Sequence, residues 1–266
     1  EGSKVYDGTA DARISSAGTL ENTVDGDDIS ISVGVAAYSD RNAGTGKTVT
    51  FTGFALDGAD AANYTLAAQP AAVTADITAR DVTIVDTAVE EYRTYDGTTD
   101  AHITDVGTID GMIDGDDLTI SVGVAAYTDR NAGDGKTVNF SGFALGGADA
   151  ANYNLTAQPA AVTADITARS VTIVGAAVEG SKVYDGTADA RISSAGTLEN
   201  TVDGDDISIS VGAAAYSDRN AGTGKTVRFS GFALDGAAAA NYVLAAQPAD
   251  VTADITARSV TIVGAA

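Results

Sequence analysis

Val73–Val85, VTADITARDVTIV, runs for thirteen residues without glycine, proline or serine and alternates apolar with polar side chains as a half-buried β-strand does. Its parity changes part-way. Val73, Ala75, Ile77 and Ala79 share one face, but the apolar residues that follow, Val82 and Ile84, fall on the other. A slip of one residue turns a strand's inward face over, so Arg80-Asp81 marks the place where the chain leaves one core and enters the next. The same switch follows Ala168 and Ala257. A junction this short limits hinge motion and predicts a stiff string of domains in an extended rod.

The spacing of the junctions matches a second repeat. Tyr-Asp-Gly occurs at Tyr6-Asp7-Gly8, Tyr95-Asp96-Gly97 and Tyr184-Asp185-Gly186, so the 266 residues hold three copies of one module. The boundaries are 1–79 for the first copy, lacking its first strand, 80–168 for the second and 169–257 for the third. Residues 258–266 read as the first strand of a following copy, so the chain is expected to be an excerpt of a longer array. Residues 1–80 and 179–258 differ only at Val35/Ala213, Thr50/Arg228, Thr52/Ser230, Asp60/Ala238, Thr65/Val243 and Ala72/Asp250, and the middle copy is more divergent.

Within a copy the apolar period stays at two. ISISVGVAA places Ile29, Ile31, Val33, Val35 and Ala37 on one face. KTVTFTGFAL places Val49 and Phe51 inward with Thr48, Thr50 and Thr52 outward. SDRNAGTGK is the hairpin loop between them, and GADAANY has room for a helical turn or two at most. The expected fold is all-β: three tandem antiparallel domains, each an immunoglobulin-like sandwich or a β-grasp-like sheet with one short helical turn. Tryptophan is absent, and the small set of Tyr38, Phe51, Phe54 and Tyr64, repeated in each copy, is assigned to the cores.

The formal net charge of −22 repels nucleic-acid phosphates and anionic lipid headgroups, excluding nucleic-acid binding and membrane-surface roles. No apolar run spans a bilayer. The chain has no cysteine, so thiol nucleophiles, disulfides and thiolate metal sites are excluded.

In KVYDGT, Asp7 can accept from the backbone two residues on, Gly8 supplies a positive φ and Tyr6 packs beside the turn. Catalysis would need partners, and the single histidine, His102, is replaced by Arg13 and Arg191 in the other copies. No acid, base and nucleophile set recurs, so no catalytic residue and no enzyme is expected. The best candidate for chemistry is VDGDD: Asp25, Asp27 and Asp28, then Asp114, Asp116 and Asp117, then Asp203, Asp205 and Asp206. Carboxylates spaced in this way around a glycine can converge on Ca²⁺, though the twelfth position is Ala36 where an EF-hand needs glutamate. The alternative is an Asp-Gly turn leading into ISISV. Asp40, Arg41, Asn42 and Lys47 read as a loop braced by its own ion pairs. A Lys–Asn isopeptide between Lys47 and Asn63 would need a buried carboxylate that the sequence does not place.

Five motifs in order, KVYDGT, VDGDD, AAYSDRNAGTGKTV, GADAANYTL and TADIT, resemble the YDG domain, which occurs in long tandem arrays of large bacterial surface adhesins of filamentous-haemagglutinin type. The resemblance covers all three copies. It implies a β-rich stalk or repeat module exported to the bacterial surface, with no catalytic residues to carry over; no cofactor is expected beyond the possible Ca²⁺ read from the VDGDD aspartates. The expected role is a non-catalytic, monomeric stalk that holds a distal binding region away from the cell, its partners being the neighbouring repeats. The alternative is that the repeats themselves bind host or matrix glycan or self-associate in adhesion and biofilm.

Overall fold

The computed structural model describes residues 2–264, and among these the regular structure is strand apart from three single 3₁₀ turns. In the first copy the strands are β1 (Ser3–Val5), β2 (Asp11–Ala12), β3 (Ser30–Ser32), β4 (Val35–Tyr38), β5 (Gly44–Thr52), β6 (Ala55–Asp57) and β7 (Val73–Thr78). After one residue, Ala79, β8 (Arg80–Val85) begins. The main sheet has the order β1-β7-β5-β4-β2. Its neighbours are antiparallel except β1, which runs parallel to β7. The same order recurs as Tyr92–Thr94, Val162–Thr167, Gly133–Ser141, Val124–Tyr127 and Asp100–Ala101, and again in the third copy. Antiparallel pairing thus dominates, with a parallel pair added to each main sheet.

The parity switch at the junction is real. Ala75 and Ile77 of β7 are buried in the main sheet, and Val82 and Ile84 of β8 are buried in a different, three-stranded sheet. There β8 lies between Thr108–Asp110, antiparallel, and Tyr153–Leu155, parallel. The strand therefore changes sheets within two residues, and both halves are flanked on each edge.

ISISVGVAA is not one strand. It breaks at Gly34 into β3, which pairs with β6, and β4, which pairs with β5. A Cβ on Gly34 would lie 2.0 Å from the Thr52 carbonyl oxygen, so only glycine permits this close backbone crossing. The break shifts parity: Ala36 and Tyr38 are buried, while Val33 and Val35, expected inward, are 51% and 66% exposed. GADAANY forms its single turn at Ala61–Asn63, Ala150–Asn152 and Ala239–Asn241.

The chain divides into two compact units that are not the sequence copies. One comprises the chain through Val89 with His102–Ala125 and Phe140–Ala161; the other comprises Glu90–Ala101, Ala126–Asn139 and the chain from Val162 on. The core of the first unit joins Tyr6, Tyr38, Val49 and Ile77 of the first copy to Val82 and Tyr153 of the second. In the second unit, Ile173 packs with Tyr216, Val227, Phe229, Phe232 and Ile255.

Candidate functional site

The residues that the sequence presents as separate turns meet at one carboxylate. In the first unit, Tyr6 follows β1 and is held by its backbone N–H on the Thr78 carbonyl, 2.8 Å away. Its ring is fully buried and sits edge-to-face on Tyr153, with centroids 5.4 Å apart. Both hydroxyls donate to the same oxygen, Oδ2 of Asp116, at 2.8 Å from Tyr6 and 2.6 Å from Tyr153. Arg41, in the loop between β4 and β5, places Nη1 3.1 Å from Asp116 Oδ1 and Nη2 3.0 Å from Asp149 Oδ1. The next residues of that loop continue the contact. The Ala43 N–H donates to Asn152 Oδ1 at 2.9 Å, and Asn152 Nδ2 donates to Asn42.

The buried carboxylate is compensated. Burial pushes the Asp116 carboxyl up, but the hydroxyls of Tyr153 and Tyr6 and the Arg41 guanidinium together hold it below the usual carboxylate range. Burial and then the hydrogen bond to Asp116 push the Tyr6 hydroxyl up to about 12. The arrangement is an anion held by neutral donors and one cation, and it fastens two segments of chain to each other.

The second unit repeats the device one copy later. Tyr95 and Tyr242 donate to Asp205 Oδ2 at 2.8 and 2.5 Å, their rings 5.4 Å apart. Ala132 N–H donates to Asn241 Oδ1 at 2.8 Å. Here Arg130 stands at 3.5 Å from Asp205 Oδ1, and the position of Asp149 is taken by Ala238, so the arginine has lost its second carboxylate. Burial and the bond to Asp205 push the Tyr242 hydroxyl up to about 12.

The nine candidate aspartates have three different fates. Asp25, Asp114 and Asp203 are exposed on the turn. Asp116 and Asp205 accept from tyrosine pairs as described, and Asp27 accepts from Tyr64 at 2.6 Å. Asp28, Asp117 and Asp206 accept from the backbone N–H groups of Ala59, Ala148 and Ala237 at 3.1, 3.1 and 3.2 Å. Within one turn the second and third carboxylates thus serve separate partners, and the first is exposed. Among the described residues no three His, Cys, Asp or Glu side chains gather closely enough to hold a metal ion.

The first turn behaves as its residues predict: Thr9 N–H donates to Asp7 Oδ1 at 2.9 Å and Gly8 has φ +79°. The role of Tyr6 was not readable there, because its partner lies 110 residues away. Arg41 is likewise not a brace within its own loop. Lys47 alone takes that part, 2.6 Å from Asp40, and Arg41 crosses to the next copy. Lys136 and Lys225 hold Asp129 and Asp218 in the same way, while Asn152 and Asn241, the counterparts of Asn63, accept from backbone and Asn63 itself is exposed; the lysine of the considered Lys47–Asn63 pair is thus engaged with Asp40. His102 is exposed.

A profile of the YDG domain matches residues 1–72, 78–161 and 167–250. The chain belongs to the YDG domain family. Three YDG domains in tandem thus account for nearly all of its length. No curated protein and no solved structure matches it. No helix in the described residues of these YDG domains is long and apolar enough to cross a membrane.

Proposed function

We propose that these YDG domains form a non-catalytic, load-bearing stalk segment of a bacterial surface adhesin, displayed outside the cell and carrying a distal binding region. The observation that supports this reading is the junction. β7 and β8 are separated by Ala79 alone, and each is hydrogen-bonded along both edges, so tension on the chain passes between sheets without a linker to absorb it. The Asp116 and Asp205 contacts fasten successive copies within each unit by buried, charge-assisted hydrogen bonds, the stronger class. The high negative charge suits a surface that must stay soluble and free of non-specific anionic contacts.

Single-molecule stretching of the whole chain tests it. A stalk gives discrete unfolding peaks, and small-angle scattering gives an elongated particle. Smooth extension at low force, or scattering from a compact globule, sinks the proposal.

A further inference from the structure

Each main sheet opens and closes on one ladder, because its first strand in the chain lies beside its last. In the middle copy Tyr92–Thr94 runs parallel to Val162–Thr167, with Tyr92, Arg93 and Thr94 facing Asp165, Ile166 and Thr167. β1 on β7, and Ser181–Val183 on Val251–Thr256, repeat the pairing. A parallel ladder is slightly less stable per residue than an antiparallel one, so its use at this place in every copy is not explained by stability at rest.

The direction of load supplies a reason. Tension on the chain draws the first strand toward its N-terminus and the last strand toward its C-terminus. In a parallel pair these pulls slide the strands along each other, and every rung is loaded at once. In an antiparallel pair the same pulls would part the ladder from one end and break its rungs singly.

The ends of the ladder are fastened alike in the three copies. At one end the Asp165 N–H donates to the Glu91 carbonyl at 2.9 Å, as Asp76 does to Gly2 at 3.4 Å and Asp254 to Gly180 at 3.0 Å. At the other the Tyr95 N–H donates to the Thr167 carbonyl at 2.9 Å, and Tyr6 and Tyr184 donate to Thr78 and Thr256 at 2.8 Å. Thr167 Oγ1 returns a bond to the Arg93 carbonyl at 3.1 Å, and Thr78 and Thr256 do so to Lys4 and Lys182 at 3.2 Å. Tyr95 also ties the ladder to the core, its ring fully buried and its hydroxyl on Asp205 at 2.8 Å. Sliding must draw that ring out of the core, whereas a peeling force that starts at Tyr92 reaches it last.

We propose that this parallel pair is a shear clamp that sets the force at which each YDG domain gives way, and that the tyrosine of Tyr-Asp-Gly is its lock. The inference rests on the stalk reading for the presence of load in the cell; the response to direction belongs to the ladder itself.

The chain has no cysteine, so introduced pairs fix the points of pull. Optical-tweezer stretching of the whole chain between Glu91→Cys and Ala168→Cys, exposed positions flanking the pair, loads the ladder along its strands. Stretching between Glu91→Cys and the equally exposed Ala161→Cys opens the same ladder from one end. Rupture in the first geometry is expected at a force higher by roughly twofold or more, since three facing residues and their flanking rungs must fail together. Tyr95→Phe is expected to lower the first force and leave the second unchanged; a merely structural loss would lower both. Equal forces in the two geometries, or a Tyr95→Phe effect absent from the first or shared by both, would overturn the clamp and leave the stalk reading to its scattering test. A compact particle in scattering would sink the stalk and leave the directional forces as they are.

Discussion

Replacing Tyr6 by phenylalanine isolates what the tyrosine hydroxyl does, because the ring and its edge-to-face contact with Tyr153 remain. The change removes one charge-assisted hydrogen bond to a buried carboxylate, a loss of about 1.5–3 kcal/mol. Asp116 keeps Tyr153 and Arg41, so the value belongs at the lower end of that range. Tyr95→Phe belongs at the upper end, since Asp205 is left with Tyr242 and an arginine 3.5 Å away. Tyr184→Phe changes the same Tyr-Asp-Gly triplet where, among the described residues, no carboxylate accepts from the hydroxyl, and is expected within about 0.5 kcal/mol of the parent. For units of this size the first two losses lower the melting midpoint on the order of 5–10 °C. Circular dichroism melts of the three variants provide the assay. An equal loss at Tyr184, or none at Tyr6, would show that the triplet is only a turn and that the joint between copies rests on apolar packing.

RSVTIVG, present at Arg169–Gly175 and again at Arg258–Gly264, offers a second contrast: Val171→Ala is expected to cost about 1–3 kcal/mol, while Val260→Ala, at 90% exposure, leaves the urea midpoint unchanged. Alkaline titration is a third. Tyr6 and Tyr242 titrate near 12 in the folded chain against an ordinary 10, so the folded state retains protons that the unfolded chain releases; their stabilisation is complete below pH 10 and disappears as pH rises through 12. Y6F/Y242F should therefore lose less stability over that window than the parent. Asp116 works at the opposite end, its stabilisation fading as pH falls below the ordinary carboxylate range through its depressed value. Finally, melts with millimolar Ca²⁺ and with EDTA are expected to coincide, because in each VDGDD turn the second and third aspartates accept from different protein donors and the first is exposed away from them; a rise of several degrees with Ca²⁺ would restore the metal reading.

Much of the fold was legible because it is local. Alternation in VTADITARDVTIV carries the strand and its change of face, and the burial of Ala75, Ile77, Val82 and Ile84 follows from side chains alternating across a pleat. The turn at Tyr6-Asp7-Gly8 was readable for the same reason, as its bonds span two residues. ISISVGVAA misled because alternation cannot register Gly34, where a backbone crossing restarts the parity. The meeting of Tyr6, Arg41, Asp116 and Tyr153 was not legible at all. Nothing in a single copy indicates that its tyrosine bonds to the aspartate of the following copy and not of its own.

What sequence by itself determined about this protein is the module: three copies, all strand, joined without linker, with a turn at each Tyr-Asp-Gly. What tertiary structure decided is which copy completes which. Tyr6 bonds Asp116 and Tyr95 bonds Asp205, each an aspartate 110 residues further along the chain. Residues within one copy cannot encode that choice. A strand is stable only when its backbone finds partners and its apolar face finds cover, and both come from chain that lies elsewhere.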